Sequence, residues 1–384
     1  MKTHTPRWLL NAALMLFGTL TAVILLFGMF ALFPQLRPGI TLFTVAQGDI
    51  FYHQAAWITP PTNPQTVLAM YYIGWDEDGF RIPAWQAESY PILAVGDSFT
   101  EAPNVGRPWT DVLATIAQQP VRNLAYRGFG PIEEAQALLQ YGTDTGAQTV
   151  VIGFFEGNDL GNAVTSQDTP GKMPADLTTQ DRAVIATDLG SITERDERYP
   201  MTVTLNGVGQ PMAFFEAYVW ALNASVTDFT QSRDMQLTLD AYTTMRAAVP
   251  EACTVVAYFP TSAHIYLPYL AADDQAILLQ KTERRQSEPG KRLKNMPAPE
   301  QTFSELLANL PNQRDAVQAQ MTAAGFAFFD LTPVLHTAAA RGELLYYTYD
   351  THWNQAGHDV VGAAIAEYLA TDPCGQRLTS GDAP

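Results

Sequence analysis

The stretch of sequence that decides the fold runs from Tyr90 to Thr100 and reads YPILAVGDSFT. Its first part, Tyr90–Val95, is a short and continuously apolar run, which is typical of a buried strand. Gly96, Asp97 and Ser98 follow directly. A serine here would expose its hydroxyl at the carboxyl edge of a sheet, where Gly96 permits a close backbone approach. The alternative interpretation is that Asp97 and Ser98 only cap a helix.

Similar apolar runs recur along the chain and alternate with helical patterns. Besides Tyr90–Val95, strands are predicted at Val121–Leu124, Thr149–Phe155, Cys253–Phe259 and Phe326–Leu331, and helices at Thr110–Gln118, Ile132–Tyr141 and Gly357–Leu369. Continuous apolar strands that alternate with helices indicate a parallel sheet covered on both faces. We therefore expect an α/β fold, a three-layer α/β/α sandwich around a parallel sheet of about five strands.

Two longer stretches interrupt this alternation. Residues 161–238 are rich in Asp, Thr, Pro and Gly, and they contain one strand-like run, Met201–Leu205. Residues 263–311 have a helical pattern and a basic segment, Lys281–Lys294, which we interpret as a solvated face. Both stretches follow strands, at the edge where α/β sheets hold their sites. They are therefore candidate walls of a substrate cleft.

The N-terminal part of the chain has a different character. Residues 9–33 carry no charged side chain, and at about 1.5 Å per residue a helix of this length crosses a hydrocarbon core of about 30 Å. Lys2 and Arg7 precede the run, which favours a cytoplasmic N-terminus. A cleaved signal peptide is the alternative, but the run exceeds the usual apolar region of about 7–15 residues and no A-x-A site follows. We predict a single transmembrane helix in the inner (cytoplasmic) membrane.

These features divide the chain into consecutive parts. The anchor separates a short cytoplasmic N-terminus from everything that follows, which we expect to be extracytoplasmic. A proline-containing, aromatic-rich stretch then leads into the main domain. The predicted parts are the N-terminus 1–8, the anchor 9–33, the membrane-proximal segment 34–88, the main domain 89–372 and a tail 373–384.

Charge and cysteine content narrow the range of partners. The chain has 22 Lys and Arg against 39 Asp and Glu, a net charge of −17, so its surface repels nucleic acid phosphates and anionic lipid headgroups. No Cys/His spacing indicates a metal site, and we expect no cofactor. Cys253 and Cys374 are the only two cysteines. They could pair in an oxidising compartment, and two unpaired thiols are the alternative.

A serine nucleophile needs a base, and the base needs an orienting group. Tyr349–Asn354 reads YDTHWN and precedes the last predicted helix. Asp350 and His352 are two residues apart, so in an extended turn Asp350 could hold one ring nitrogen of His352 while the other faces Ser98. We expect Trp353 to pack in the core beside this imidazole or to line the cleft.

Two other segments after neighbouring strands could supply donors for an oxyanion. Residues 123–130 read NLAYRGFG, in which the backbone N–H of Gly128 could approach a substrate with no side chain in the way. Asn158 follows the strand TVVIGFF within the sequence Gly-Asn-Asp, and its amide could donate. Both segments consist of common turn residues, so each alone is also compatible with a plain turn.

Together these segments resemble the SGNH (GDSL-like) hydrolase superfamily. GDSF, the Asn-x-x-x-x-Gly segment that ends at Gly128, Gly-Asn-Asp and DTHWNQAGH occur in the order and spacing of that family. The stretch WDEDGFRIP resembles a lead-in found in membrane-anchored bacterial members. The resemblance covers roughly Asp76 to Leu369 and implies a flavodoxin-like sandwich.

The resemblance also implies a role for each matching residue. The implied roles are nucleophile for Ser98, base for His352, acid of the triad for Asp350, and oxyanion hole for the Ser98 N–H, Gly128 and Asn158. We expect Asp97, Asp159 and Trp353 to support the site. Many members space the acid and the base as DxxH, whereas this chain has DxH. That spacing also resembles alginate acetyltransferase-like proteins, but there the element precedes the serine, so the order here favours the ordinary arrangement.

The expected reaction is acyl transfer through a serine ester. The resemblance and the predicted location indicate an esterase acting on O-acyl groups, chiefly O-acetyl groups, of extracytoplasmic glycans or lipids. One alternative is an O-acetyltransferase of cell-envelope polysaccharide, supplied with acyl groups by a partner membrane protein. Another is a non-catalytic envelope assembly protein on the same fold, against which the intact Ser98 and His352 argue.

Overall fold

The structure is a computed structural model that describes residues 15, 17–25, 48–51, 71–74, 76–103, 105–176, 201–286, 302–348 and 351–375. The chain divides into two compact units, Met1–Leu42 and Phe43–Pro384. In the first unit residues 17–25 are helical and their side chains are exposed. Within the described ranges, no helix has both the length and the apolar character needed to span a bilayer. Most of the predicted anchor, residues 9–33, lies outside these ranges.

The second unit contains all of the strands in the described part of the chain. In chain order they are β1 (Gly48–Phe51), β2 (Tyr71–Gly74), β3 (Ile92–Gly96), β4 (Val121–Asn123), β5 (Thr149–Phe155), β6 (Met201–Leu205), β7 (Val208–Met212), β8 (Cys253–Phe259) and β9 (Ala327–Asp330).

The α-helices of this unit alternate with the strands. The described helices are α1 (Ser98–Glu101), α2 (Trp109–Ala117), α3 (Pro131–Tyr141), α4 (Asp159–Asp168), α5 (Glu216–Ala221), α6 (Val226–Thr230), α7 (Arg233–Ala248), α8 (Ser262–Tyr266), α9 (Ala272–Gln286), α10 (Phe303–Asn309), α11 (Asn312–Ala323), α12 (Thr332–Ala340) and α13 (Gln355–Ala370).

The central sheet has five strands in the order β4-β3-β5-β8-β9, and every neighbouring pair is parallel. This confirms the predicted parallel sheet of about five strands. The first of these strands in the chain, β3, lies between β4 and β5, so the chain order reverses at its carboxyl end. In open α/β sheets this reversal opens the crevice in which ligands bind. Ser98 follows β3 directly and therefore lies at that crevice.

The sheet is buried on both faces because its central strands are apolar throughout. All residues of β3, β5 and β8 are buried. Alternate residues of a strand point to opposite faces: Ile92 packs in one hydrophobic cluster with Leu113 of α2 and Ile365 of α13, whereas Leu93 packs in the other with Leu138 of α3. The predicted three layers follow from this division.

The stretch 161–238 contains a hairpin in addition to helices. The predicted strand Met201–Leu205 is present and pairs antiparallel with Val208–Met212. Asn206 and Gly207, with φ of 48° and 78°, form the two-residue turn, a conformation that asparagine and glycine favour in hairpins. The second strand was not predicted because its sequence, VGQPM, contains glycine and proline, which are depleted in strands. The side chains of the basic segment Lys281–Lys294 lie outside the described residues.

Cys253 at the start of β8 and Cys374 after α13 form a disulfide. Their Cα atoms are 5.6 Å apart and 121 residues separate them in sequence. The bond joins the end of the last helix to a central strand.

Candidate active site

In the turn after β3, neighbouring atoms fill the space that a side chain at position 96 would need, so only glycine fits there. A Cβ atom there would lie 2.9 Å from Thr100 Cβ, which is inside van der Waals contact. Asp97 caps α1, since its Oδ1 accepts a hydrogen bond of 2.9 Å from the Phe99 N–H. Ser98 is the first residue of α1 and is 8% exposed. Asp97 is therefore the cap of α1, and Ser98 lies next to it at the sheet's carboxyl edge.

His352 meets Ser98 across 254 residues of sequence, with its Nε2 atom 2.8 Å from Ser98 Oγ. The loop that carries it is fixed on both sides. The Tyr347 N–H donates to the His352 carbonyl at 3.0 Å, and Asn354 caps α13 through its bond with the Gly357 N–H at 3.0 Å. The acid predicted for the triad, Asp350, lies outside the described residues.

The imidazole of His352 packs against a cluster of aromatic rings. Phe99 lies 4.8 Å from it between ring centroids, and Phe155 stacks on Phe99 at 3.8 Å. Trp353 is fully buried and presents its edge to Phe99 at 5.0 Å and to Phe259 at 4.8 Å. Of the two expected positions for Trp353, the structure has the one in the core, beneath the ring that supports His352.

The segment that contains Gly128 runs beside the Ser98 turn. Its start continues from the sheet, because the Leu124 N–H donates to Ala94 at 2.8 Å and the Tyr126 N–H to Gly96 at 3.3 Å. Gly128 has a φ of 78°, and nothing lies within 4 Å of where its Cβ would be. Among the described residues, no hydrogen bond to the Gly128 N–H is found. Gly128 is exposed.

Asn158 stands at the N-cap position of α4, after the carboxyl end of β5, and its side chain makes no capping hydrogen bond. Its side chain neighbours the Asp97 carboxyl and helps to hold the pKa of that group down. The structure therefore brings Asn158 to the residue that precedes Ser98. Asp159, the first residue of α4, accepts a hydrogen bond of 2.7 Å from the Phe155 N–H. It fixes the turn between β5 and α4.

A buried ion pair, not anticipated from the sequence, ties the Ser98 helix to the Gly128 segment. Arg127 donates to Glu101 through its backbone N–H at 2.7 Å and through its guanidinium at 2.6 Å. Both side chains are almost fully buried. Arg81 adds to this region by donating to the carbonyl groups of Glu101 and Val105 at 3.2 and 3.1 Å. The sequence did offer a signal, since opposite charges stand in two segments that were expected to meet.

A second set of buried acids includes Asp97, the residue before Ser98. Burial raises the pKa of Asp97 to about 6, with opposing contributions from the Phe99 N–H and from His352. Burial also raises the pKa values of Glu134 and Asp159 well above their ordinary values, and the mutual repulsion of these carboxyls adds to the effect. Tyr242 neighbours Glu134, but neither side chain completes a well-formed hydrogen bond within the described residues. No local sequence pattern predicts that Glu134 and Tyr242 lie near this group of acids.

Glu156, at the end of β5, organises the neighbouring strand end. Its carboxylate accepts hydrogen bonds from the Tyr258 hydroxyl at 2.5 Å and the Thr261 N–H at 2.8 Å, and it contacts His264 Nδ1 at 2.6 Å. These groups belong to β8, to the turn after it and to α8. Glu156 therefore joins the carboxyl ends of β5 and β8 next to the site.

One family model matches the C-terminal part of the chain. A model of the SGNH hydrolase-like domain of the acetyltransferase AlgX matches residues 292–382, which include Asp350 and His352. The search of curated proteins finds no match in sequence.

Solved structures of lipolytic enzymes also align with the chain. Phospholipase A1 from Streptomyces albidoflavus is 11% identical, with 73% of this chain and 99% of that chain covered and a TM-score of 0.37. The extracellular lipase from Streptomyces rimosus is 14% identical, with 73% and 98% covered and a TM-score of 0.37. The lipase/acylhydrolase from Enterococcus faecalis is 12% identical, with 73% and 96% covered and a TM-score of 0.35.

The family model and the geometry of the chain lead to one assignment. The matched segment carries His352, and that histidine contacts the serine of the Gly-Asp-Ser turn. The serine follows the strand at which the order of a five-stranded parallel sheet reverses. On this evidence, residues 292–382 are similar to the SGNH hydrolase-like domain of AlgX, and the histidine of that segment contacts Ser98 in an α/β fold with a five-stranded parallel sheet.

Proposed function

We propose that this protein is a serine esterase that removes O-acyl groups, chiefly O-acetyl groups, from extracytoplasmic glycans or lipids. The observation that supports it most directly is the 2.8 Å contact between Ser98 Oγ and His352 Nε2 at the carboxyl edge of the sheet. A hydroxyl within hydrogen-bond reach of an imidazole is the arrangement that activates a serine nucleophile.

The proposed reaction has two halves. In the first, Ser98 Oγ attacks the carbonyl carbon of the ester while its proton passes to His352 Nε2, and the Gly128 N–H, the Ser98 N–H and the Asn158 amide stabilise the negative oxygen that forms. Collapse of this intermediate releases the alcohol, which takes the proton from His352. In the second half, water attacks the Ser98 ester through the same proton transfers and releases the acid. We assign Asp350 to orient His352.

An O-acetyltransferase of cell-envelope polysaccharide is the second candidate. It is favoured by the description of the matching family model, which names an acetyltransferase. Here a sugar hydroxyl would replace water in the second half of the reaction, and a membrane protein that donates acyl groups would be the partner. The same Ser98 and His352 would serve both reactions.

We also propose that residues 9–33 anchor the protein in the inner membrane with the catalytic domain outside the cytoplasm. The uncharged apolar run supports the anchor, and the Cys253–Cys374 disulfide supports an oxidising compartment. A reporter active only in the periplasm, fused after Pro384, should be active. An inactive reporter, or a mature protein that begins near Pro34, would contradict the proposal.

The activity is tested by incubating the full-length protein with acetylated envelope glycans and measuring released acetate. Ser98→Ala should lower the rate roughly a thousandfold or more, because the nucleophile is lost, while the melting temperature stays close to that of the wild type. Strong acceleration by a glycan acceptor would favour the transferase. An undiminished rate in Ser98→Ala would refute both candidates.

A further inference from the structure

Residues 76–88, a segment that the proposed reaction does not use, pack against the main domain. Phe80 is fully buried, and its ring meets that of Tyr141, the last residue of α3, at 5.2 Å between centroids. Further along the segment, the Ala84 N–H donates to Asp111 Oδ1 of α2 at 3.1 Å. The segment is therefore fixed to two helices of the domain.

Arg81 lies between these two contacts, with its guanidinium buried against the end of α1. The residue is 7% exposed. Its Nη1 donates to the carbonyl of Glu101 at 3.2 Å and also to that of Ala102. Its Nη2 donates to the carbonyls of Val105 and Gly106, both at 3.1 Å. One side chain therefore binds four backbone carbonyls, from the last residue of α1 and from the turn that follows it.

A helix as short as α1 depends on groups outside it. It has four residues, Ser98–Glu101, and a single turn gains too little from its own hydrogen bonds to offset the cost of ordering it. At its start, Asp97 Oδ1 accepts from the Phe99 N–H. At its end, the carbonyls have no partner within the helix, and a cation that donates to them is favourable. Arg81 is that cation.

The position of α1 determines where several groups of the site lie. Ser98 is its first residue, with its Oγ atom 2.8 Å from His352 Nε2, and the Ser98 N–H is one of the proposed oxyanion donors. At the other end of α1, the Glu101 carboxylate accepts from the N–H of Arg127 at 2.7 Å, next to Gly128. A shift of α1 would therefore move the nucleophile relative to its base and to the oxyanion donors.

We infer that Arg81 is a positioning residue for Ser98. By binding the carbonyls at the end of α1, it holds the nucleophile and its N–H in line with His352. This inference rests on the proposed function and adds to it a residue that acts only through the backbone it binds. A misplacement of about 1 Å can cost about a hundredfold in rate, and such alignment matters in the transition state more than in substrate binding. The loss should therefore appear in kcat and not in KM.

The test measures hydrolysis of p-nitrophenyl acetate by the full-length protein in lipid nanodiscs. Arg81→Lys keeps a cation beside the carboxylates of Asp111 and Glu101, but an ammonium lacks the planar fork that reaches four carbonyls. It should lower kcat about ten- to a hundredfold and change KM by less than about twofold. Rates are divided by the fraction of protein that a fluorophosphonate labels at completion, so that unfolded protein is not counted. Arg81→Gln, which keeps two amide donors without the charge, should lower kcat at least as much and repeats the test if the lysine variant does not fold.

Arg122→Lys is the matched control, because Arg122 also holds the segment 76–88. Its described hydrogen bonds go to the carboxylates of Asp76 and Asp78 and, at 3.1 Å, to the carbonyl of Tyr141. This variant should leave kcat within about twofold of the wild type. An equal loss of kcat in the two lysine variants would mean that loosening the segment is enough, and it would overturn the inference. An unchanged kcat in Arg81→Lys would do the same.

Hydrogen exchange separates this inference from the proposed function. The N–H groups of Thr100 and Ala102 bond to carbonyls at the start of α1, so their exchange reports whether the helix is formed. A peptide that covers residues 97–106 should exchange about tenfold faster in Arg81→Lys and at the wild-type rate in Arg122→Lys. If the wild type neither hydrolyses the ester nor reacts with the fluorophosphonate, the proposed function fails, and the exchange rates still decide whether α1 is held in this way. Exchange that Arg81→Lys leaves unchanged would refute the positioning role.

Discussion

Two buried carboxyl groups in the region of the Ser98 turn, Glu101 and Glu134, are neutralised in different ways. Glu101 at the end of α1 has Arg127 as an ion-pair partner, with side chains 0% and 2% exposed. Glu134 of α3 is equally buried, yet both of its oxygens lack a hydrogen-bond partner among the described residues. The first group is compensated by a cation, whereas the second is compensated by a proton, because burial raises its pKa well above the ordinary value.

The difference shows how the fold can hold several acids near one serine. A buried charge is costly unless it is paired and hydrogen-bonded. Glu101 satisfies this rule and uses its bonds to connect α1 to the segment of Gly128. Glu134, Asp97 and Asp159 form no ion pair in the described part of the chain, nor do any three His, Cys, Asp or Glu residues there suit a metal ion. Burial raises the pKa values of all three carboxyls, and mutual repulsion adds to the effect at Glu134 and Asp159, which favours their neutral forms.

The largest expected effect comes from removing the cation. Arg127→Met leaves Glu101 buried and unpaired, which typically costs about 3–5 kcal/mol, and it frees the segment that carries Gly128. We expect a large loss of unfolding free energy in denaturant titrations and a lower esterase rate. The matched control is Arg107→Met, which removes an exposed pair with Asp359 whose side chains are 54% and 42% exposed. That change should cost less than about 1 kcal/mol.

The double variant Glu101→Leu/Arg127→Met sharpens this result. Replacing both partners removes the unpaired charge, so part of the stability lost in Arg127→Met should return. If the double variant is less stable than Arg127→Met, the loss comes from packing rather than from the unpaired carboxylate.

Two neighbouring glutamates should respond with opposite signs when each is changed to glutamine. Glu133 accepts hydrogen bonds from the Ser166 hydroxyl at 2.6 Å and from the Gly171 N–H at 2.8 Å, so Glu133→Gln should cost about 1.5–3 kcal/mol. Glu134 has no such donors, and Glu134→Gln should stabilise the protein at pH 8 by about 1 kcal/mol or more. Urea titrations of both variants at pH 5 and pH 8 measure the difference.

The pH dependence of the unfolding free energy distinguishes a protonated Glu134 from an ionised one. The folded protein holds the Glu134 proton more tightly than the unfolded chain does. The stability from this proton is therefore complete below the unfolded pKa, about 4.3, and is lost as pH rises through the folded pKa. The wild type should lose stability between pH 5 and pH 8 relative to Glu134→Gln. Parallel curves would mean that Glu134 is ionised in the fold.

Sequence reasoning reached the sheet because buried parallel strands have a local signature. The bounds predicted for β5 and β8 coincide with those observed, Thr149–Phe155 and Cys253–Phe259, since both are unbroken apolar runs. The segments of Ser98 and His352 were expected to meet because strand ends converge at one edge of a parallel sheet. Glu101 pairs with a side chain from a distant element, and Glu134 finds no hydrogen-bond partner among the described residues. Both outcomes depend on the tertiary fold, and no local sequence spacing predicts them.

The smallest expected effect concerns the charge that Asp97 places behind His352. Burial raises the pKa of Asp97 to about 6, and the two groups attract each other when both are charged. An ionised Asp97 favours the protonated imidazole, which cannot act as the base, so the rate should fall as pH drops through the pKa of His352.

Asp97→Asn keeps an oxygen to accept from the Phe99 N–H but removes the charge. The acid limb of kcat/KM should move to lower pH by up to about one unit, which corresponds to about 1.4 kcal/mol. A pH–rate profile with a short acyl ester measures the shift, and a melting temperature near that of the wild type shows that the cap is intact. An unchanged acid limb would mean that Asp97 is already protonated when His352 titrates, and that its carboxyl acts as a hydrogen-bonding group rather than as a charge.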